Sequence, residues 1–334
     1  MNQKNNTEQI KKIAEFSTYL ENGEYAFTED FRMLFNINRM NHPMITNFHL
    51  TKNVQASIKI ATPVNDFDGS VLWFCINGDI KIFSEKHVLI ICESFESYHK
   101  KRATYTHFSS FFHMPKVLQR DAQSKTLIEE FVTYTPQKAT DEVFILKTIY
   151  KNYSQYFKQQ VLHTKHTYYS INQLLETSAH KVYRSQFEKI IERIPSEYRS
   201  VNFPFLALHG DLWSDNLLLS VASNVKKLWY IDWETSSQYL FFYDFFKFMW
   251  NELDVHQNDS YFKNYLSGAF DEAFHAIFAV FQLEFQPTAR QVYVCLFFLN
   301  FILTDTDNMV FKYKYEEIKA FEEKVFPLLT VDSF

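Results

Sequence analysis

The chain of 334 residues carries a net charge of -5, with 46% hydrophobic and 22% charged residues, which places it among globular proteins rather than disordered, fibrous or membrane-spanning ones. A general nucleic-acid partner is not expected, because counterion release needs a basic surface and no large Lys/Arg cluster supplies one. Cys75, Cys92 and Cys295 are odd in number and widely spaced, as expected of reduced thiols in a cytoplasmic protein rather than a disulfide framework or a zinc site. The polar start MNQKNNTEQIKK lacks a signal-type apolar stretch. The longest apolar run, Val292 to Leu303 interrupted by Asn300, is too short for a membrane span and predicts a buried helix.

Thr7 to Tyr19 reads as a helix and a less regular stretch follows to about Val54, so residues 1–55 are expected to form an N-terminal helical extension. From Ala56 to Cys92 the pattern turns to the short β-rich runs SIKIATPV, VLWFCI, DIKIF and HVLIIC. Asn77-Gly78 between two of these predicts a hairpin, since both residue types tolerate positive φ. Glu93 to Phe112 reads as a helix ending before Met114-Pro115, because a residue preceding proline is pushed out of the helical region. The strands KVLQR and TLIEEFV complete a small sheet lobe over residues 56–133. Residues 134–334 are expected to be mostly helical, over Glu142–Lys158, Tyr168–Ile194, Phe241–Leu253, Tyr261–Phe281, Thr288–Leu303 and Tyr315–Leu328.

One strand-loop-strand insert interrupts this helical text. In FLALHGDLWSDNLLLSVASNVKKLWYIDWE, His209-Gly210-Asp211 is followed by Asn216 five positions after the aspartate, and Asp232 comes directly after the apolar run Leu228 to Ile231. That spacing suits phosphoryl transfer: one aspartate orients and deprotonates an attacking hydroxyl, while an asparagine and a second aspartate hold the Mg²⁺ that bridges nucleotide phosphates.

HGDLWSDN followed by YIDWE resembles the paired motifs of the aminoglycoside phosphotransferase and choline kinase-like superfamily. YLFFYDFFKFMW, with Tyr243-Asp244 before an aromatic helix, is similar to the stretch after the second motif in members linked to sugar, choline and cell-surface polysaccharide metabolism. The resemblance is specific over Leu206 to Trp250 and architectural elsewhere. It implies an α+β, bilobal, protein-kinase-like fold: a small antiparallel-sheet lobe with one helix, then a larger helical lobe. It also implies ATP, with GTP as the alternative, and Mg²⁺ as cofactors. Asp211 would be the catalytic base, Asn216 and Asp232 the Mg²⁺ ligands, and His209 a brace for the loop.

The superfamily also places an ATP-anchoring lysine on the third strand and a pairing glutamate on the next helix. With SIKIATPV as the first strand, the lysine is Lys81 and the turn Asp66 to Ser70, containing Gly69, covers the phosphates; with VLWFCI as the first, the third strand carries no lysine. Glu96, with Glu93 behind it, is the expected partner, and backbone groups around Glu130 to Val132 the expected adenine contacts. No G-x-G-x-x-G occurs. The resemblance implies as acceptor a small molecule with a hydroxyl: a sugar, an amino alcohol or a surface-glycan precursor. Glu234, Asp244, Glu252 and Asp254, among many aromatics, offer contacts to a cationic acceptor such as an aminoglycoside or a choline-like amine. Antibiotic phosphorylation and a kinase-shaped scaffold without activity are the competing readings.

Overall fold

The computed structural model describes residues 11–47, 50, 54–62, 66–163, 167–176, 187–304 and 311–330. The chain divides into two compact units, residues 1–138 with 218–230, and residues 139–217 with 231–334.

The first unit is built on an eight-stranded sheet. In chain order its strands are β1 (Gly23–Thr28), β2 (Met33–Asn36), β3 (Val54–Ile60), β4 (Val71–Phe74), β5 (Ile80–Phe83), β6 (His87–Ile91), β7 (Val117–Asp121) and β8 (Thr126–Glu130), and their order across the sheet is β3-β1-β2-β4-β5-β6-β8-β7. Every pairing is antiparallel. Alternation along the strands fills two cores: Val71, Phe83, Val88 and Ile90 enter one, with Tyr98 of helix α1 (Phe95–Phe108), while Leu72, Ile82 and Leu89 enter the other, with Ile13 and Leu20. Burial on both faces explains why these strands read as nearly continuous apolar runs.

Residues 1–55 therefore do more than extend the chain. A helix over residues 11–16 and a short 3-10 turn, Ser17–Tyr19, stand where one was expected, with residues 7–10 outside the described ones. Beyond them, β1 and β2 join the sheet through Tyr25, Phe27 and Leu34, all buried. The Asn77-Gly78 turn also differs in detail. Cys75 N–H donates to Asp79 O at 2.9 Å across a three-residue loop, and of its residues only Gly78, at φ 88°, is left-handed. Asn77 instead accepts Asp79 N–H at 3.0 Å through its side chain.

The second unit is mostly helical: α2 (Glu142–His163), α3 (Tyr243–His256), α4 (Ser260–Leu266), α5 (Asp271–Val280), α6 (Arg290–Thr304) and α7 (Phe311–Lys324) surround a three-stranded sheet of β9 (Thr167–Tyr169), β10 (Phe203–Leu208) and β13 (Ser237–Leu240). Over Tyr168–Ile194 the expected single helix is replaced by β9 and short helices. A reciprocal cap between Ser170 and Gln173 starts a new helix directly after the strand. Residues 177–186 of that stretch lie outside the described ones. The Tyr261–Phe281 stretch is split into α4 and α5 at Gly268, φ 90°. Asn300, the polar break in the apolar run, is fully buried on α6 and accepts Leu240 N–H at 2.9 Å, tying the helix to β13.

The hairpin β11 (Leu217–Ala222) and β12 (Val225–Tyr230) belongs largely to the first unit. Tyr230 N–H donates to His113 O at 2.8 Å, and Thr135 N–H to Leu219 O at 2.9 Å. The unit boundary thus falls at 138/139 with this hairpin on the sheet side, rather than between 133 and 134.

Candidate active site

The second unit's buried strand β10 delivers the chain to His209, which is fully buried. Its Nε2 faces Ile231 O at 2.8 Å and its Nδ1 faces Asp211 N–H at 3.3 Å. A carbonyl accepts only and an amide N–H donates only, so the ring carries its proton on Nε2. Through these two contacts His209 joins the Asp211 loop to the residue just before Asp232.

Gly210 turns the chain at φ 83°, and a Cβ there would stand 2.7 Å from Thr235 O. The tight path is fixed from below by Asp244, in the first turn of α3. Its carboxylate is fully buried and accepts His209 N–H at 2.8 Å, Gly210 N–H at 2.9 Å and the Tyr153 hydroxyl at 2.6 Å. Burial pushes the Asp244 carboxyl upward, and the neighbouring His209 and these donors act in the opposite sense. Asp244, expected as an acceptor contact, is instead the structural anchor of the loop.

Asp211 presents a carboxylate whose side chain is 36% exposed. Its Oδ1 accepts Asn251 Nδ2 at 3.0 Å and lies 3.5 Å from Lys247 Nζ, both from α3. Its Oδ2 accepts Asn216 Nδ2 at 3.2 Å, and the same amide donates to Asp211 O at 2.7 Å. A carboxylate offers about four acceptor positions, so one position on Oδ2 has no partner among the described residues.

Asn216 closes a 3-10 turn, Ser214–Asn216, and its carbonyl accepts Ile231 N–H at 3.0 Å. Asp232 follows at φ 62° and ψ 54°, a left-handed conformation that aspartate tolerates better than most residues. One loop and one strand end are thus joined through their backbones, with a base-type carboxylate, an amide and a second carboxylate along them.

The sequence around this site matches a known family. Residues 157–278 match the phosphotransferase enzyme family, APH. The chain is similar to a choline/ethanolamine kinase family protein from Mesorhizobium loti, at 14% identity over 74% of this chain and 86% of that one, TM-score 0.41. It is also similar to a thermostable mutant of aminoglycoside phosphotransferase APH(4)-Ia, at 12% identity over 76% and 92%, TM-score 0.48. A third similar structure is a glucosamine kinase in complex with glucosamine, ADP and inorganic phosphate, at 11% identity over 78% and 81%, TM-score 0.47. No curated protein sequence matches.

Within the matched segment the donor set suits a hard cation. Asn216 Nδ2 is committed to Asp211, whereas its Oδ1 accepts no hydrogen bond among the described residues. That oxygen and the Asp232 carboxylate are the ligand types Mg²⁺ prefers, with phosphate and water oxygens filling the remaining positions.

The first unit departs from the expected lysine-glutamate pair. Helix α1 follows β6 directly, so the strand before the helix, HVLII, carries no lysine. Lys81 lies on β5, with Nζ 5.8 Å from the Trp73 ring centroid. Glu96 is exposed in the first turn of α1 and joins no ion pair among the described residues. The ion pair between sheet and helix has the opposite polarity: fully buried Asp79, beside β5, meets Lys101 of α1 at 3.1 Å. At the end of β8, Glu130 bonds Lys116 through both backbone and side chain, and Phe131 N–H donates to Lys86 O. Val132 is buried, and no group among the described residues takes its N–H.

The other acids offered to a cationic acceptor are engaged within the fold. Glu252 accepts Ser214 N–H at 3.1 Å, and Asp254 pairs with Lys324 at 2.6 Å. Glu234 lies in the 3-10 turn after Asp232, half-buried, with contacts of its own. Lys247 lies within YLFFYDFFKFMW and Asn251 directly after it, and the signal that marks them is spacing. Asp244, Lys247 and Asn251 fall at i, i+3 and i+7 and are the polar side chains over Tyr243–Asn251, a polar stripe down one face of an otherwise aromatic and apolar stretch.

Proposed function

We propose that this protein is an ATP- and Mg²⁺-dependent kinase that transfers the γ-phosphate to a hydroxyl of a small molecule: a sugar, an amino alcohol or a surface-glycan precursor. The observation that carries the reading is Asp211 itself, a part-exposed carboxylate clamped on Oδ1 by α3 and on one side of Oδ2 by Asn216, with one acceptor position left. A substrate hydroxyl donating to that position would give its proton to Oδ2 as its oxygen bonds to Pγ. The bond from Pγ to the β,γ-bridging oxygen breaks and ADP leaves with that electron pair.

Mg²⁺ held by Asn216 and Asp232 would neutralise charge on the phosphates. The residues of the chain then supply position: Asp244 and His209 fix the loop, and Asn216 links the base to the metal site. For the nucleotide, the unclaimed Val132 N–H is the donor suited to adenine, and Lys81 remains the candidate cation of the sheet.

Thermal unfolding with and without Mg²⁺-ATP tests the nucleotide half, since a ligand bound only by the folded chain raises its stability. An upward shift that needs Mg²⁺ and is lost in Asp232→Ala is expected; no shift with ATP or GTP would refute the reading. Asp211→Asn keeps the shape of the side chain and removes the base, so phosphoryl transfer should fall by about 10²–10⁴ while the Mg²⁺-ATP shift persists. Full turnover in that variant would remove Asp211 from the mechanism.

A further inference from the structure

The charge beside the base has the wrong sign for a cationic acceptor. Lys247 Nζ stands 3.5 Å from Asp211 Oδ1, and its side chain is only 11% exposed. The ammonium also lies 4.7 Å from the Phe301 ring centroid, so it is held by an aromatic face on one side and the base on the other. The acids that could offset it are occupied or weakened: Asp244 is sealed beneath the loop, Glu252 is bonded to Ser214, and Asp254 is paired with Lys324. Glu317 of α7, a further carboxyl in the electrostatic field of Lys247, is pushed toward its neutral form by burial, and its Oε2 is buried without a partner among the described residues.

We propose that Lys247 sets the charge class of the acceptor: the site takes a hydroxyl compound bearing an anionic substituent, a carboxylate or a phosphate, and turns away acceptors that carry an ammonium group there. The inference rests on the kinase reading of Asp211. An acceptor hydroxyl on Oδ2 brings its neighbouring substituents within a few ångströms of Lys247, where like charges repel and opposite charges attract with little solvent screening. An anionic acceptor must also approach the polyanionic nucleotide, and a fixed cation next to the base offsets that repulsion. Cationic acceptors such as amino alcohols and aminoglycosides gain nothing from Asp211 that Lys247 does not cancel.

The proposal can be tested before the acceptor is identified. Small molecules of a bacterial extract are separated by ion exchange at neutral pH into anionic, neutral and cationic pools, and each pool is incubated with the full-length protein, Mg²⁺ and ATP labelled at the γ-phosphate. Labelled product at least tenfold greater from the anionic pool than from either other pool is expected. Adding phosphatase to one portion of the anionic pool beforehand separates phosphate-bearing acceptors from carboxylates. Product mainly from the cationic or neutral pool overturns the proposal and leaves the kinase reading intact. No product from any pool, in a protein that Mg²⁺-ATP stabilises, overturns both. Lys247→Met should lower transfer from the anionic pool tenfold or more, chiefly through a higher acceptor KM, and Lys247→Arg should restore most of it. Unchanged transfer in a folded Lys247→Met protein overturns the proposal as well.

Discussion

The carboxylate of Asp244 accepts the backbone N–H of Gly210 at 2.9 Å from a position 34 residues further along the chain. It takes His209 N–H and the Tyr153 hydroxyl as well, so one fully buried side chain satisfies three donors around the loop that carries Asp211. Leaving a buried donor unpaired costs about 1–3 kcal/mol, and Asp244→Ala would take this acceptor from all three. We expect it to lower unfolding free energy by about 3–5 kcal/mol, measured by denaturant titration, and to abolish transfer although Asp244 touches no substrate. Asp244→Asn keeps one acceptor oxygen and should fall between the two.

Gly210→Ala tests the turn itself. The residue sits at φ 83°, and an added Cβ would lie 2.7 Å from the carbonyl of Thr235 and 2.8 Å from Tyr239. Backbone strain and a clash with a carbonyl act together, so a loss of about 2 kcal/mol or more is expected. Asp211 would be displaced with the loop, and activity should fall more steeply than stability. A Gly210→Ala protein with unchanged melting temperature and turnover would show that the loop has room the structure does not display.

The reversed ion pair of the first unit makes a second stability prediction. Asp79 is fully buried and accepts Glu93 N–H at 2.9 Å and the Ser97 hydroxyl at 3.0 Å, in addition to Lys101. Removing the acid takes the Asp79 carboxylate from a largely buried ammonium and from several donors, so Asp79→Ala should cost about 3–5 kcal/mol. Lys101→Met should cost clearly less, because Asp79 keeps its other hydrogen bonds. Equal losses in the two variants would mean that the pair, not the polar network around Asp79, holds α1 to the sheet.

Acid should loosen the first unit through His42. The ring is buried, with Nε2 3.1 Å from Ser84 O and Nδ1 accepting Met44 N–H, and desolvation lowers its pKa from the ordinary 6.5. A lowered histidine pKa means that the unfolded chain takes up the proton first. Its stabilising contribution is therefore complete above pH 6.5 and lost as pH falls toward the folded-state pKa. Burial shifts His107 and His113 in the same sense. His42→Gln should flatten, without abolishing, the decline in melting temperature from about pH 7 to 5. An unchanged slope would show that His42 takes no part.

Within the site, the sequence is most informative where partners are close along the chain. Asp211 and Asn216 lie five residues apart, and their hydrogen bonds close a single loop. His209 and Asp232 frame that loop by spacing alone. In the sheet, short apolar β-rich runs identify β4, β5, β6 and β8, since each strand places successive residues in two different buried cores. The same signal misses β1, β2 and β9, which lie in stretches that read as irregular or helical text.

What the amino-acid order determined by itself was the local set of side chains: a carboxylate, an amide and a second carboxylate at the spacing that suggests phosphoryl transfer, on a loop with a glycine where the backbone turns left-handed. Tertiary structure decided what surrounds Asp211. Asp244, Lys247 and Asn251 reach the loop from a helix more than thirty residues away, and nothing in their local sequence says whether an acid there meets a substrate or two backbone N–H groups. Long-range packing fixed that choice because burial removes water as the alternative partner. Each polar group on α3 must then find its complement inside the fold, and the loop carrying Asp211 provides it.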